Sequence, residues 1–119
     1  MVNSFIPTGC HLWINGDPSM DQLRKDLITI KVYEDDSDFI RELKKCVLCE
    51  QLFFYEFYER TDWEGGNDPQ YRTWIPVQNI DKADMLNKLS SMDLLNFSGI
   101  RSDYPQSARK SSYPRWVVR

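Results

Sequence analysis

Cys46-Val47-Leu48-Cys49 puts two thiols at the separation that lets both turn towards one metal ion or towards each other. The pair stands just ahead of an aromatic, strand-like run, Leu52-Phe53-Phe54-Tyr55-Glu56-Phe57-Tyr58-Glu59. Structural zinc takes four Cys or His donors in tetrahedral geometry, so one such knuckle is half a site. The other half has to come from Cys10 and His11, the one remaining cysteine and the single histidine of the chain. Cys10, His11, Cys46 and Cys49 are therefore the expected metal ligands, with zinc as the ion, provided that the N-terminal segment folds over the hairpin. Zinc-ribbon knuckles favour glycine after the second cysteine, because glycine readily adopts positive φ. Here that position is Glu50. The competing reading is plain, reduced, partly buried thiols.

Other cysteine chemistry fits less well. A thioredoxin-like site opens a helix after a strand, so that the helix N-terminus lowers the first thiol's pKa; here a second strand follows the pair. A cysteine nucleophile needs a histidine base, and His11 is far away in sequence with no accompanying local signature. The Gly65-Gly66 pair lacks the Lys-Ser/Thr of a phosphate loop. With no complete catalytic constellation, the sequence points to a binding protein, with no catalytic residues assigned.

Carboxylates and aromatics crowd the strand and loop after the knuckle. Glu56, Glu59, Asp62, Glu64 and Asp68 are interleaved with Tyr55, Tyr58, Trp63, Tyr71 and Trp74. Interfaces favour Tyr and Trp anchors. Glu56, Glu59, Asp62, Trp63, Glu64, Asp68 and Trp74 are thus the expected partner-binding residues. Strand alternation sends Glu56 and Glu59 to opposite faces. The bland alternative is a solvated acidic face over aromatics that belong to the core.

The elements that must position these groups follow from punctuation and period. Asp17-Pro18 reads as an N-cap and first helical residue, with Met20, Leu23 and Leu27 at helical spacing, so a helix is expected near 18–26. Ile28, Ile30 and Val32 alternate with polar residues as in a strand, and 34–37 is a polar turn. Residues 38–46 fit either helix or strand; strand is preferred, because the CxxC can then reverse the chain into 51–60. That second strand of the hairpin is apolar on both sides, which marks it as central, with Phe53, Tyr55 and Phe57 facing the core. Gly65-Gly66-Asn67-Asp68-Pro69 is a turn, and 70–77 returns as a third strand whose Pro76 belongs near an edge. Asp81 is the expected cap of a helix carrying Ala83, Leu86 and Leu89. Ser90 or Ser91 caps a second helix running through Phe97, ended by Gly99. Residues 101–112 read as a polar tail, and Trp116-Val117-Val118 as an added edge strand or a docking segment.

Composition sets the outer bounds. At 119 residues, with enough apolar content for a packed core, residues 1–119 are expected to form a single domain, with 99–113 as a mobile basic tail. Residues 1–98 carry 10 Lys/Arg against 17 Asp/Glu, net −7, and residues 99–119 carry five against one, net +4. An acidic body suits a basic partner and disfavours nucleic acid. No apolar run is long enough to span a bilayer, the N-terminus lacks a secretory pattern, and three cysteines are too few for a disulfide framework. A cytoplasmic protein without membrane contact is expected.

Cys46-Val47-Leu48-Cys49-Glu50-Gln51-Leu52, the strand 53–59, the Gly65–Pro69 loop and Ile75-Pro76-Val77 together resemble small bacterial immunity proteins. These are cytosolic antidotes encoded beside polymorphic or contact-dependent growth inhibition toxins. Some have a hairpin of the form CxxCGQL, an aromatic, acidic strand and a glycine-rich loop. The resemblance covers about residues 38–77. It implies binding and neutralisation of a cognate toxin domain, often a nuclease, through a basic toxin surface. The rival reading is a zinc-ribbon-like module serving nucleic acid or a larger assembly. For either, the expected fold is α+β: a small antiparallel meander with helices packed on one face.

Overall fold

The computed structural model describes residues 5–60, 69–104 and 114–119. The described elements are α1 (His11–Ile14), α2 (Met20–Asp26), β1 (Leu27–Asp36), β2 (Phe39–Cys46), β3 (Leu52–Glu59), β4 (Gln70–Val77), α3 (Ile80–Leu86), α4 (Ser91–Leu94), β5 (Gly99–Tyr104) and β6 (Arg115–Val117). The strands form one antiparallel meander in sequence order, β1 to β6. The fold is the expected α+β class.

Alternation along β3 divides the interior. Phe53 and Phe54, adjacent and both fully buried, enter different clusters. Phe53 packs with Cys10, Leu12, Leu23, Leu27, Cys46, Trp74 and Ile100 under α1 and α2. Phe54 packs with Leu43, Ile75, Val77, Ala83, Leu86 and Leu94 under α3 and α4. Helices therefore cover both faces of the sheet, not one face alone. That is why β3 is apolar on both sides, and why it sits inside the sheet. Tyr55 and Phe57 share the side of Phe53 but are only half-buried, because α1 and α2 cover one end of that face.

The helix starts differ from expectation in their caps. Ser19, not Asp17, caps α2 by accepting the Gln22 N–H at 3.1 Å. Asn79, not Asp81, caps α3 through the Lys82 N–H at 2.9 Å. Ser90 caps α4 as read, but the helix stops at Leu94. Gly99 opens β5 instead of ending a helix. A Cβ there would lie 2.5 Å from the Trp74 carbonyl oxygen, so only glycine lets β5 approach β4 this closely.

Three further readings change. Residues 101–104 belong to β5, between β4 and β6, and are not tail; residues 105–113 lie outside those described. Pro76 lies in an interior strand, but β5 pairs only with Gln70–Trp74, so Pro76 sits past the end of that ladder, where its missing N–H costs nothing. β1 runs to Asp36, which narrows the turn to Ser37 and Asp38. Trp116 does form the expected edge strand and docks as well: its indole Nε1 donates to the Leu12 carbonyl at 2.7 Å, and its backbone N–H donates to Asp17 at 2.9 Å.

Candidate metal centre

The N-terminal segment does fold over the hairpin. Cys10 precedes the single turn of α1, whose Leu12 is buried beneath Phe53 and Trp74. Gly16, at φ 84°, turns the chain out of this segment. Trp13 packs edge-on against Trp116 with ring centroids 5.0 Å apart, so β6 holds the segment from the far side. Burial of Leu12 and the Trp116 contacts thus deliver Cys10 and His11 to the end of β2.

There the donors converge. Cys10 Sγ, a His11 ring nitrogen and Cys46 Sγ all lie within 4.8 Å of one another. His11 Nδ1 is 3.7 Å from Cys46 Sγ, and His11 Nε2 is 2.8 Å from Asp26 Oδ2. Cys10 and Cys46 are buried and Cys49 is exposed. Burial pushes the Cys10 thiol up to about 12, helped by a hydrogen bond with the Cys49 thiol and by the charges of Cys46 and Cys49, against a backbone hydrogen bond at Leu12 that lowers it. Cys49 acts on the Cys10 thiol but lies outside the tight group of three.

The knuckle has the required backbone. The Cys46 N–H donates to the Gln51 carbonyl and the Glu50 N–H to the Cys46 carbonyl, both at 2.8 Å. Glu50 has φ 66°, the only described non-glycine residue in the left-handed region. The glycine-like turn is thus made without glycine, at a local cost of about 1–2 kcal/mol.

Two soft thiol donors and an imidazole oriented by a carboxylate stand around one point, close enough to bind a metal ion. The donor set fits a thiolate-preferring ion such as zinc. Cys46, His11 and Asp26 also line up as thiol, imidazole and carboxylate, the order of a nucleophilic relay. Cys46 is fully buried, however, and a second thiol, that of Cys10, shares the same imidazole. Access for a substrate is closed while coordination is open. The thioredoxin-like alternative fails on geometry, since Cys46 ends β2 and β3 follows.

The expected partner residues are dispersed. Glu56 is 3% exposed and bonded to Arg41 and Ser91. Trp74 is in the core. Glu59 is half-buried and accepts a hydrogen bond from Gln70 at 2.8 Å. Glu56 and Trp74 are thereby removed from any docking surface. Asp62, Trp63, Glu64 and Asp68 lie outside the described residues. The exposed acidic group among those described is the β1–β2 hairpin tip, Glu34, Asp35, Asp36 and Asp38. Sequence reasoning missed both this tip and Asp26. The first read as an ordinary polar turn. The second is 15 residues from His11, and nothing local ties the two.

Comparison with protein-family models, with curated proteins and with solved structures finds no match to this chain. No helix among the described residues is long and apolar enough to cross a membrane.

Proposed function

We propose that this chain is a non-catalytic binding protein of the bacterial immunity type, which neutralises a cognate toxin domain in the cytoplasm, and that zinc is its structural ion. The observation that carries the metal half is the convergence of Cys10, His11 and Cys46 within 4.8 Å from segments 35 residues apart. A structural ion there ties the N-terminal segment to the knuckle and adds its binding free energy to folding. The toxin-binding half is supported by the resemblance carried by the knuckle, the β3 strand and the following loop, and by the exposed carboxylates at the hairpin tip. Toxins that act on nucleic acid carry cationic clefts, and a carboxylate-rich surface speeds encounter with them.

Two measurements test the proposal. Protein purified without added metal should carry one zinc per chain, and chelation should lower its melting temperature. Expression of the chain should protect cells from the toxin domain encoded in the neighbouring reading frame, and the two purified proteins should co-elute. A metal-free protein indifferent to chelator would remove zinc from the reading. Unprotected cells and no co-elution would remove toxin neutralisation.

A further inference from the structure

The geometry points to a closed four-ligand centre in which Cys49 joins Cys10 and Cys46, His11 binds through Nδ1, and Asp26 is the positioning residue that holds the imidazole. This inference rests on the zinc reading above and specifies its coordination.

Three donors leave a tetrahedral ion one ligand short, and closed structural sites carry four. With Zn–S bonds of about 2.3 Å and Zn–N bonds of about 2.0 Å, neighbouring donor atoms on the tetrahedron stand roughly 3.5 Å apart. The 3.7 Å between Cys46 Sγ and His11 Nδ1 already has that span. Cys49 is the remaining cysteine of the chain and stands three residues after Cys46 in the same knuckle, which makes it the donor at hand for the fourth position. The left-handed Glu50 and the Glu50 N–H to Cys46 carbonyl bond curl the backbone that carries the two cysteines into a tight turn. The exposure of Cys49 gives the fourth vertex freedom to close on an ion.

The ligating nitrogen follows from the other one's partner. Nε2 is engaged by the Asp26 carboxylate at 2.8 Å, so it carries the proton, and Nδ1 faces the thiols. A carboxylate on the outer nitrogen fixes both tautomer and ring orientation. Asp26 also reaches the knuckle, because its backbone carbonyl accepts the Val47 N–H at 2.9 Å. One residue at the end of α2 thus grips both halves of the site, the histidine by its side chain and the CxxC by its main chain.

The test uses the full chain loaded with Co(II) or zinc. In the wild type, the thiolate-to-cobalt charge-transfer band should have the intensity of three thiolates, with the strong visible bands of a tetrahedral ion. Cys49→Ser should lower that band by about one third, the share of one ligand in three. The chain has one histidine, so long-range ¹H–¹⁵N spectra of the zinc form report His11 alone and should show Nδ1 bound and Nε2 protonated. Asp26→Ala and Asp26→Asn should keep the three-thiolate band but lose about 10–100-fold in zinc affinity against a chromophoric chelator. Circular dichroism on each variant separates misfolding from lost coordination. Wild-type protein that takes up no metal defeats the zinc reading itself. If the wild type binds, an unchanged band in Cys49→Ser, metal on Nε2, or unaltered affinity in both Asp26 variants overturns the arrangement inferred here.

Discussion

Arg41 on β2 and Glu56 on β3 face each other directly in register, and form an ion pair of 2.7 Å sealed between the sheet and the α3–α4 connection. Arg41 also donates to the carbonyls of Asn87 and Leu89, both at 2.8 Å, and the Ser91 hydroxyl donates to Glu56 at 2.9 Å. The pair therefore satisfies the end of α3 and the start of α4 while pinning both to the sheet.

Removing one partner strands the other without solvent. Arg41→Met leaves a buried carboxylate and two unpaired carbonyls, and should cost about 3–5 kcal/mol. Replacing both charges with apolar residues should cost clearly less than the two single losses together, because no uncompensated charge remains. Urea denaturation of the two single variants and the double variant measures this. Additive losses would show that the two side chains do not act as a unit.

The two core clusters give the β3 aromatics unequal weight. Phe53→Ala and Phe54→Ala should each cost about 3–5 kcal/mol, because both rings are fully buried. Phe57→Ala should cost about 1–2 kcal/mol, since that ring is half-buried and its main partner is the Arg72 guanidinium 4.8 Å above it. Chemical denaturation ranks the three. A Phe57 variant as damaged as the Phe53 variant would mean that this half of the sheet face is covered.

Gly99→Ala tests the approach of β5 to β4. The added methyl would meet the Trp74 carbonyl oxygen at 2.5 Å and the Ile75 backbone at 3.3 Å, neither of which is a flexible side-chain end. A loss of about 1–3 kcal/mol is expected. The amides of β5 should also exchange faster with solvent than in the parent.

Stability should fall at both ends of the pH scale. The Tyr33 hydroxyl and the Lys31 ammonium beside Asp84 hold its carboxyl below the usual range, so that contribution is present above the unfolded pKa of about 4 and is lost as pH falls through the lower folded value. Asp84→Asn should flatten the acid limb of a melting-temperature profile. Burial raises the hydroxyls of Tyr33, Tyr55 and Tyr58. Their contribution is complete below about pH 10, the unfolded value, and is lost as pH rises towards the folded ones. Tyr55→Phe should therefore shift the alkaline limb upwards.

Local patterns were enough to read the meander 39–77, the candidate donors Cys10, His11 and Cys46 and the helix that carries Leu23, because period, turn residues and knuckle spacing are properties of neighbouring residues. Tertiary structure alone decided what those residues face. Phe53 and Phe54 look alike in sequence, and only helices arriving from both chain ends give each its own core. Glu56 and Trp74 read as surface groups, because their burial depends on Arg41, Ser91 and Ile100, which come from distant segments. β5 is polar enough to pass for a tail, since its pairing with β4 and β6, and not its own composition, makes it a strand. The same holds at the metal centre. The sequence offers four candidate donors in two pairs, and Cys10, His11 and Cys46 are the three that come together. The pairs meet because Leu12 is buried under the sheet and Trp116, 104 residues away, bonds its carbonyl, and no local rule encodes a contact across that distance.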